Sequence, residues 1–156
     1  MKKGIIITIC GILTILLVSC GVTQDDNKEL IKSIEKTINE TFNKSEELEK
    51  SSLQEEDFWN SLIAMYEDEY KFFYELDFDA IEDNELKECI KDYLNGAKIR
   101  VDAYKAYKIG DTDTFEKKYE QVKEEVDGSI IKLVEKYNLK IDYENKDMYK
   151  FIKERA

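Results

Sequence analysis

The sequence contains no histidine and no proline, and it has only three cysteines in 156 residues. Histidine is the most frequent metal ligand and the most frequent general base in enzymes. Without it, neither a Ser-His-Asp site nor a Cys-His site can be assembled. We therefore expect a protein that is not an enzyme and that has no metal and no cofactor.

Basic side chains are also scarce. Lys and Arg number 24 against 35 Asp and Glu, which gives the chain a net charge of −11. Nucleic-acid-binding proteins need a positive surface to meet the phosphates, so we expect no nucleic-acid partner. A basic protein partner is compatible with this charge, although a solvated acidic surface is the simpler explanation.

The N-terminus combines a positive start with a short apolar run. Lys2 and Lys3 precede residues 4–19, GIIITICGILTILLVS, which carry no charge. A positive start, a short apolar core and small residues at its end are typical of an export signal. The alternative is a retained transmembrane helix, because the uncharged run continues to Gln24 and approaches the roughly 20 residues of a span. The apolar part stops at Ser19, which favours the signal.

The last four residues of this run, Leu17-Val18-Ser19-Cys20, resemble the lipobox of bacterial lipoproteins of the Gram-positive type. In that family a peptidase cuts before the Cys, and a diacylglycerol on the Cys sulfur holds the mature chain on the membrane. The resemblance implies cleavage between Ser19 and Cys20, lipid attachment at Cys20 and a location on the extracellular face of the cell membrane. Two acyl chains make such attachment stable. The resemblance covers only the first twenty residues.

Cleavage at this point sets the composition of the mature chain. It would have 137 residues (156 − 19), enough for one domain with its own core. Loss of Lys2 and Lys3 leaves 22 basic side chains (24 − 2) and a net charge of −13 (22 − 35). With Cys20 lipidated, Cys89 remains alone and cannot form an internal disulfide. We divide the chain into a signal peptide (1–19), a lipidated tether (20–25) and a helical domain (26–156).

Four segments of the domain have apolar residues at helical spacing. The first two begin near residues 26 and 52, where Asp or Ser precedes Glu by three positions, as in a capping box. The third spans about residues 85–108 and ends before Gly110. The fourth starts at Asp111 or Asp113 and ends at Asn138. Its apolar residues follow a 4-3-4 spacing: Phe115, Tyr119, Val122, Val126, Ile130, Leu133 and Tyr137.

Four amphipathic helices joined by short links favour an all-α, up-down antiparallel four-helix bundle. The alternative is a three-helix core with the first helix as a loose stalk. Residues 139–143 alternate in polarity, which predicts an extended linker or a short strand, and residues 148–152 predict a short C-terminal helical tail. Small residues cluster in the third helix, and we expect bulky residues of the second helix to fill the space beside them (Gly96, Ala97, Ala103 and Ala106).

The second and third helices also carry a candidate polar pair. Arg100 lies at the edge of one apolar stripe, one turn from Tyr104, and Glu69 lies on the apolar face of the other helix. Arg suits the binding of an anion or another small ligand, because its guanidinium donates two parallel hydrogen bonds. An ordinary ion pair between helices explains the same residues.

Tyrosine is abundant, with ten in the chain. Tyr66 and Tyr70 are one helical turn apart and, with Tyr104, are candidate contacts for a ligand or partner, because Tyr is favoured at recognition sites. Rings at the edge of a bundle core, each with a hydrated hydroxyl, explain the same pattern.

Three hypotheses follow from these observations. The first is a membrane-anchored surface lipoprotein that binds a protein partner, in the manner of immunity, exclusion or inhibitor proteins. The second is a carrier with a small ligand between the second and third helices, anchored by Arg100. The third, an enzyme, is disfavoured by the missing histidine.

Overall fold

The computed structural model describes residues 25–155. The predicted signal peptide and tether, with Ser19 and Cys20, lie outside these residues. The chain divides into two compact units after Leu30, and the packing described below belongs to the second unit.

Five helices pack together, and residues 25–155 contain no strand. The fourth consists of two α-helical stretches, Thr112–Val122 and Gly128–Tyr137, joined by a π-helical segment, Lys123–Asp127. None of the described helices is both long and apolar enough to cross a membrane. The five helices are α1 (Asp25–Glu49), α2 (Glu55–Tyr74), α3 (Asn84–Lys108), α4 (residues 112–137) and α5 (Lys146–Arg155).

Local signals set most helix ends. The Asp83 carboxylate accepts hydrogen bonds from the backbone N–H groups of Glu85 and Leu86, at 2.9 and 3.0 Å, and so caps α3. Asp111 caps α4 in the same way. Gly110 and Asn138 have φ of 81° and 57°, the left-handed conformation that ends a helix.

The start of α2 differs from the prediction. Its N-cap is Gln54, whose side chain makes no capping bond, and the capping box expected from Ser52 and Glu55 is not formed. The preceding residues complete α1 instead, because the Ser51 hydroxyl donates to the Leu48 carbonyl at 2.6 Å.

Helix α1 belongs to the core from Ile31 onward. Ile34 and Ile38 are fully buried and Phe42 is 8% exposed, so this part of α1 is not the loose stalk of the alternative hypothesis. On α4, the predicted stripe also faces inward, with the four central residues buried (Val122, Val126, Ile130 and Leu133).

Helix α3 approaches α4 closely at Gly96. A Cβ atom placed there would come within 2.7 Å of Val126 Cγ2 and 3.0 Å of the Val126 backbone nitrogen. The space beside Gly96 is therefore filled by the π-helical segment of α4. Our expectation that α2 would fill it is wrong at this position, because the glycine permits an approach of backbone to backbone that a bulky α2 side chain would prevent.

The segment after α4 is an extended linker, and its backbone is held by α1. Asn39 donates to the Lys140 carbonyl at 2.8 Å and accepts from the Asp142 N–H at 2.8 Å. The Lys140 N–H donates to the Glu35 carboxylate at 2.7 Å. These side chains take up backbone groups that a strand would need for pairing, so no strand forms there. A short 3₁₀ turn, Tyr143–Asn145, then leads into α5.

Candidate functional site

The buried charged side chains of the described residues are Glu69, Arg100 and Asp127, with exposures of 2%, 8% and 2%. They come from α2, α3 and the π-helical segment of α4. Arg100 contacts Glu69 directly, and the charge of Asp127 acts on Arg100. Buried charges are costly unless they are paired, so their concentration in one place marks a special part of this core.

The Arg100 guanidinium is held from two sides. Its Nη2 donates to Glu69 Oε2, and its Cζ lies 4.1 Å from the centre of the Tyr66 ring, in a cation–π contact. Burial lowers the pKa of Arg100 from its ordinary value, and the negative charge of neighbouring groups, including Asp127, acts in the opposite direction. Arginine nevertheless stays protonated in proteins, so this site contains a permanent positive charge.

Glu69 has a second partner in Tyr93. The Tyr93 hydroxyl donates to Glu69 Oε1, so the two carboxylate oxygens serve different donors. Burial raises the pKa of Tyr93, which keeps its hydroxyl protonated and available as a donor. The Glu69 carboxylate is therefore fully engaged and fixed in orientation.

A cavity of about 160 Å³ lies beside Arg100. One part of its wall is apolar, from residues such as Phe42, Ile130 and Ile152. The other part is polar and is contributed by three of the five helices: Thr41, Ser45, Tyr104, Tyr119, Arg100 and Asp127. A ligand there would meet hydroxyl groups, aromatic rings and both signs of charge.

One donor of this site has no partner. Arg100 Nε is buried and makes no hydrogen bond, and it is the single side-chain nitrogen or oxygen atom in this condition among the described residues. A buried donor without an acceptor costs free energy, and such groups are rare in folded proteins.

The predicted site residues are only partly brought together. Arg100, Glu69, Tyr66 and Tyr104 lie in one cluster, in which the Tyr66 and Tyr104 rings stack at 5.3 Å. The Tyr70 ring lies 5.8 Å from that of Tyr74, and Tyr70, like Tyr104, packs against the core cluster that contains Tyr66. The Glu69–Arg100 ion pair links α2 to α3. The cavity beside Arg100 is bounded largely by α1, α4 and α5, and Tyr66 of α2 and Tyr104 of α3 also line it.

Sequence reasoning missed Asp127 and Tyr119 as components of this site. Tyr119 lies on the apolar stripe of the fourth helix, which predicts a place in the core. Asp127 follows a stripe residue, Val126, and would project away from the core in a regular α-helix. Val126 and Asp127 lie next to each other in the π-helical segment and are both buried, with exposures of 1% and 2%. No pattern in the sequence predicts this segment.

A second candidate site is the aromatic end, which we define as Leu53, Trp59, Tyr107, Ile109 and Phe115. The Tyr107 ring lies between two others, 4.8 Å from Trp59 and 4.9 Å from Phe115. Leu53, Tyr107 and Ile109 are 44%, 38% and 80% exposed, which is unusual for large apolar side chains. This surface joins the start of α2 to the turn between α3 and α4.

Carboxylates surround the aromatic end. Residues 53–60 and 107–113 contain five acidic side chains and one Lys: Glu55, Glu56, Asp57, Asp111, Asp113 and Lys108. An open groove of about 580 Å³ runs over this surface, with Glu55 and Glu56 on one side and Trp59 and Tyr107 beside them. The groove therefore combines aromatic rings with two carboxylates and one ammonium group, that of Lys108, which also donates to the side chain of Asn60.

Other functional groups offer less. No group of three or more His, Cys, Asp or Glu in the described part of the chain could hold a metal ion. Cys89 is buried, its Sγ donates to the Ser129 carbonyl at 3.6 Å, and burial raises the pKa of its thiol. Such a thiol is a poor nucleophile.

Comparisons with protein-family models, with curated proteins and with solved structures found no match to this chain.

Proposed function

We propose that this protein is a lipid-anchored module on the extracellular face of the cell membrane, with no enzymatic activity, that binds a basic protein partner. The lipobox-like residues support the anchor, and the acidic helical domain supports the binding role. We further propose that its four long helices run up and down as an antiparallel bundle, which the short connections between successive helices favour.

The proposal of a binding partner rests on the aromatic end. Leu53, Tyr107 and Ile109 are three of the large apolar side chains that are exposed, and Tyr107 also lines the groove. Aromatic residues are enriched at protein interfaces and are frequent among residues that dominate binding energy. The five neighbouring carboxylates select a partner of positive charge.

The groove suggests how a basic partner is held. A Lys or Arg side chain could lie over the Trp59 and Tyr107 rings, with its charged group beside Glu55 and Glu56. A cation–π contact contributes about 0.5–1 kcal/mol at an exposed site, and several such contacts would be needed for stable binding. Because the attraction is partly between exposed charges, binding should weaken as salt is added.

Photo-crosslinking on intact cells tests this surface. A photoreactive amino acid is placed at Ile109, which is 80% exposed and can be replaced without disturbing the core. The matched control carries it at Tyr74, which is 66% exposed at the opposite end of α2. We expect one protein to be captured from position 109, not from position 74, and to be released by high salt before irradiation.

The captured protein must also fit the chemistry of the groove. A partner whose crosslinked segment is rich in Lys or Arg supports the proposal. An acidic or uncharged segment contradicts it, and so does equal capture from both positions.

The anchor is tested separately with Cys20→Ala. We expect the unchanged protein to fractionate with membranes and to incorporate labelled palmitate, and the variant to lose both properties. A variant that stays in the membrane fraction without lipid would indicate the retained transmembrane helix instead.

The second candidate function is that of a small-ligand carrier. The observation that favours it is the cavity beside Arg100, with its unpartnered Nε. This site adjoins the aromatic end through Tyr104, whose ring lies 6.2 Å from that of Trp59 and 5.8 Å from that of Phe115.

A further inference from the structure

The C-terminal helix α5 forms part of the wall of the cavity beside Arg100. Met148, Phe151 and Ile152 line the cavity together with residues of α1 and α4. Phe151 lines it and is nevertheless 54% exposed, so its side chain lies where the cavity meets solvent. Access to the cavity on this side therefore depends on the position of α5.

One side chain provides most of the packing that holds α5 in place. Among the side chains from Lys146 to Glu154, Ile152 alone is buried, with 3% exposed. Lys153 Nζ lies 2.6 Å from Glu135 Oε1 of α4, but both side chains are more than half exposed, and such ion pairs contribute little. A helix of ten residues is also marginal in water without packing. The docking of α5 therefore depends chiefly on Ile152.

The connection that precedes α5 is held much more firmly. Asn145 is 2% exposed, and its Nδ2 donates to Asn39 Oδ1 at 3.1 Å and to the Asn39 carbonyl at 3.4 Å. The same Asn39 Oδ1 accepts from the Asp142 N–H at 2.8 Å. Buried hydrogen bonds are costly to break when no water replaces them. The chain is thus fixed to α1 as far as Asn145, and α5 begins at the next residue.

The long helices have contacts of their own that exclude α5. The Glu69–Arg100 ion pair joins α2 to α3, and the close approach of Gly96 to Val126 joins α3 to α4. Neither contact would be lost if α5 moved away. Proteins commonly open in such local units at a lower free-energy cost than that of complete unfolding.

We propose that α5 is a lid that pivots at Asn145 and opens the cavity beside Arg100 while the four long helices stay packed. Opening exposes apolar side chains of the cavity wall, such as Phe42 and Ile130, to water, and this cost favours the closed position. The use of the lid to admit a ligand rests on the carrier function proposed above, whereas the opening itself requires no ligand.

Two thiols in the full chain in detergent distinguish lid opening from unfolding. Ser45 lines the cavity and is 9% exposed, so Ser45→Cys places a thiol under the lid. Cys89 is buried, and its Sγ donates to the Ser129 carbonyl of α4, so it reports on the bundle. Both react with iodoacetamide, peptide mass spectrometry reads each thiol separately, and each rate is divided by that of the same thiol in urea. We expect this ratio to be at least about tenfold higher at position 45 than at Cys89.

Two variants of the Ser45→Cys chain then identify the lid. Ile152→Ala weakens the docking of α5 and should raise the reaction at position 45 at least about tenfold. Ile63→Ala is the matched control, because Ile63 is buried on α2 and does not line the cavity. It should raise the reaction of Cys89 at least about tenfold and leave position 45 unchanged, because it destabilises the lid-open and lid-closed states equally. Circular dichroism verifies that each variant is folded.

Several results would overturn this proposal. If position 45 is protected as strongly as Cys89, or if Ile63→Ala accelerates both thiols equally, the cavity opens only by unfolding. If Ile152→Ala leaves position 45 unchanged, α5 is not the cover.

Hydrogen exchange of the unsubstituted chain gives a check that needs no new cysteine. The backbone amides of α5 should exchange at least about tenfold faster than those in the middle of α3, and equal protection would also contradict the lid. Failure to find a ligand would leave all these results unchanged and would count against the carrier function alone.

Discussion

At the scale of single residues, Glu69 and Arg100 depend on each other. Each is buried, and each would be an uncompensated charge without the other. Breaking a buried pair on one side costs about 3–5 kcal/mol, whereas replacing both partners with apolar residues of similar size is often neutral. The pair therefore matters more for the arrangement of the site than for net stability.

This dependence gives a testable prediction. Glu69→Leu should lower the free energy of unfolding by about 3–5 kcal/mol, because it leaves the Arg100 charge buried and also removes the acceptor of Tyr93. The double variant Glu69→Leu with Arg100→Met should be less destabilised than Glu69→Leu alone. Urea denaturation followed by circular dichroism measures both. If the double variant loses as much free energy of unfolding as the two single variants together, the pair is not coupled.

At the scale of secondary-structure elements, two glycines near the same segment have opposite roles. Gly96 of α3 allows the close approach of α4, and a Cβ there would come within 2.7 Å of Val126 Cγ2. Gly128 follows the π-helical segment, and a Cβ there would have open space within 4 Å on the side away from its own helix backbone. One glycine is required by packing, and the other only lowers helix propensity.

The two positions predict opposite changes on substitution by alanine. Gly96→Ala should destabilise the protein by about 1–3 kcal/mol, because backbone atoms of α4 must move. Gly128→Ala should stabilise it by about 0.4–1 kcal/mol, because alanine favours the helix and restricts the unfolded chain. Thermal denaturation of the two variants side by side checks the signs. A stabilising Gly96→Ala would contradict the close packing of α3 and α4.

The helices show which parts of a fold a sequence predicts well. Gly110 and Asn138 were assigned as helix ends correctly, because capping depends on residues within a few positions of one another. The partner of Gly96 and the inward position of Asp127 were not predicted. Both depend on the π-helical segment and on contacts between elements distant in sequence, which hydrophobic periodicity does not encode.

The candidate sites were also predicted only where the sequence itself carries the signal. Arg100 and Glu69 were paired correctly, since both stand out as charges on apolar stripes. The contribution of α1, α4 and α5 to the cavity beside Arg100 was not predicted, because it depends on contacts between segments distant in sequence. An aromatic recognition surface was expected from Tyr66, Tyr70 and Tyr104, but its place at the aromatic end was not. It forms where the start of α2 meets the turn between α3 and α4, and only the tertiary arrangement reveals that Ile109 is exposed.

At the scale of the whole molecule, tyrosines limit the stability at high pH. Burial raises the pKa of Tyr93 and of Tyr104, and it raises the pKa of Tyr137 to about 12. In the unfolded chain these groups ionise near pH 10. A tyrosine whose pKa is raised in the folded state contributes its full stabilisation at pH values below its pKa in the unfolded chain. This contribution is lost as the pH rises from the unfolded-state pKa through the folded-state pKa.

We therefore expect the free energy of unfolding to fall steadily above about pH 10. Tyrosinate absorbance and circular dichroism are recorded together against pH. They should show that some tyrosines ionise only at the higher pH at which the helices are lost. Tyr137→Phe removes one of the shifted groups and should make the decline less steep. Ionisation of all tyrosines near pH 10 with the helices intact would contradict the burial described here.

The central claim is that the aromatic end binds a basic partner, and one measurement tests it most directly. It is the crosslinking yield from position 109 on intact cells, compared between two charge-reversed chains. The first carries Glu55→Lys and Glu56→Lys in the groove. The second carries Asp142→Lys and Glu144→Lys, exposed residues between α4 and α5, and changes the net charge equally. We predict that capture is lost in the first chain and retained in the second. Equal capture in both would contradict a basic partner at this surface, and equal loss would show that only the total charge matters.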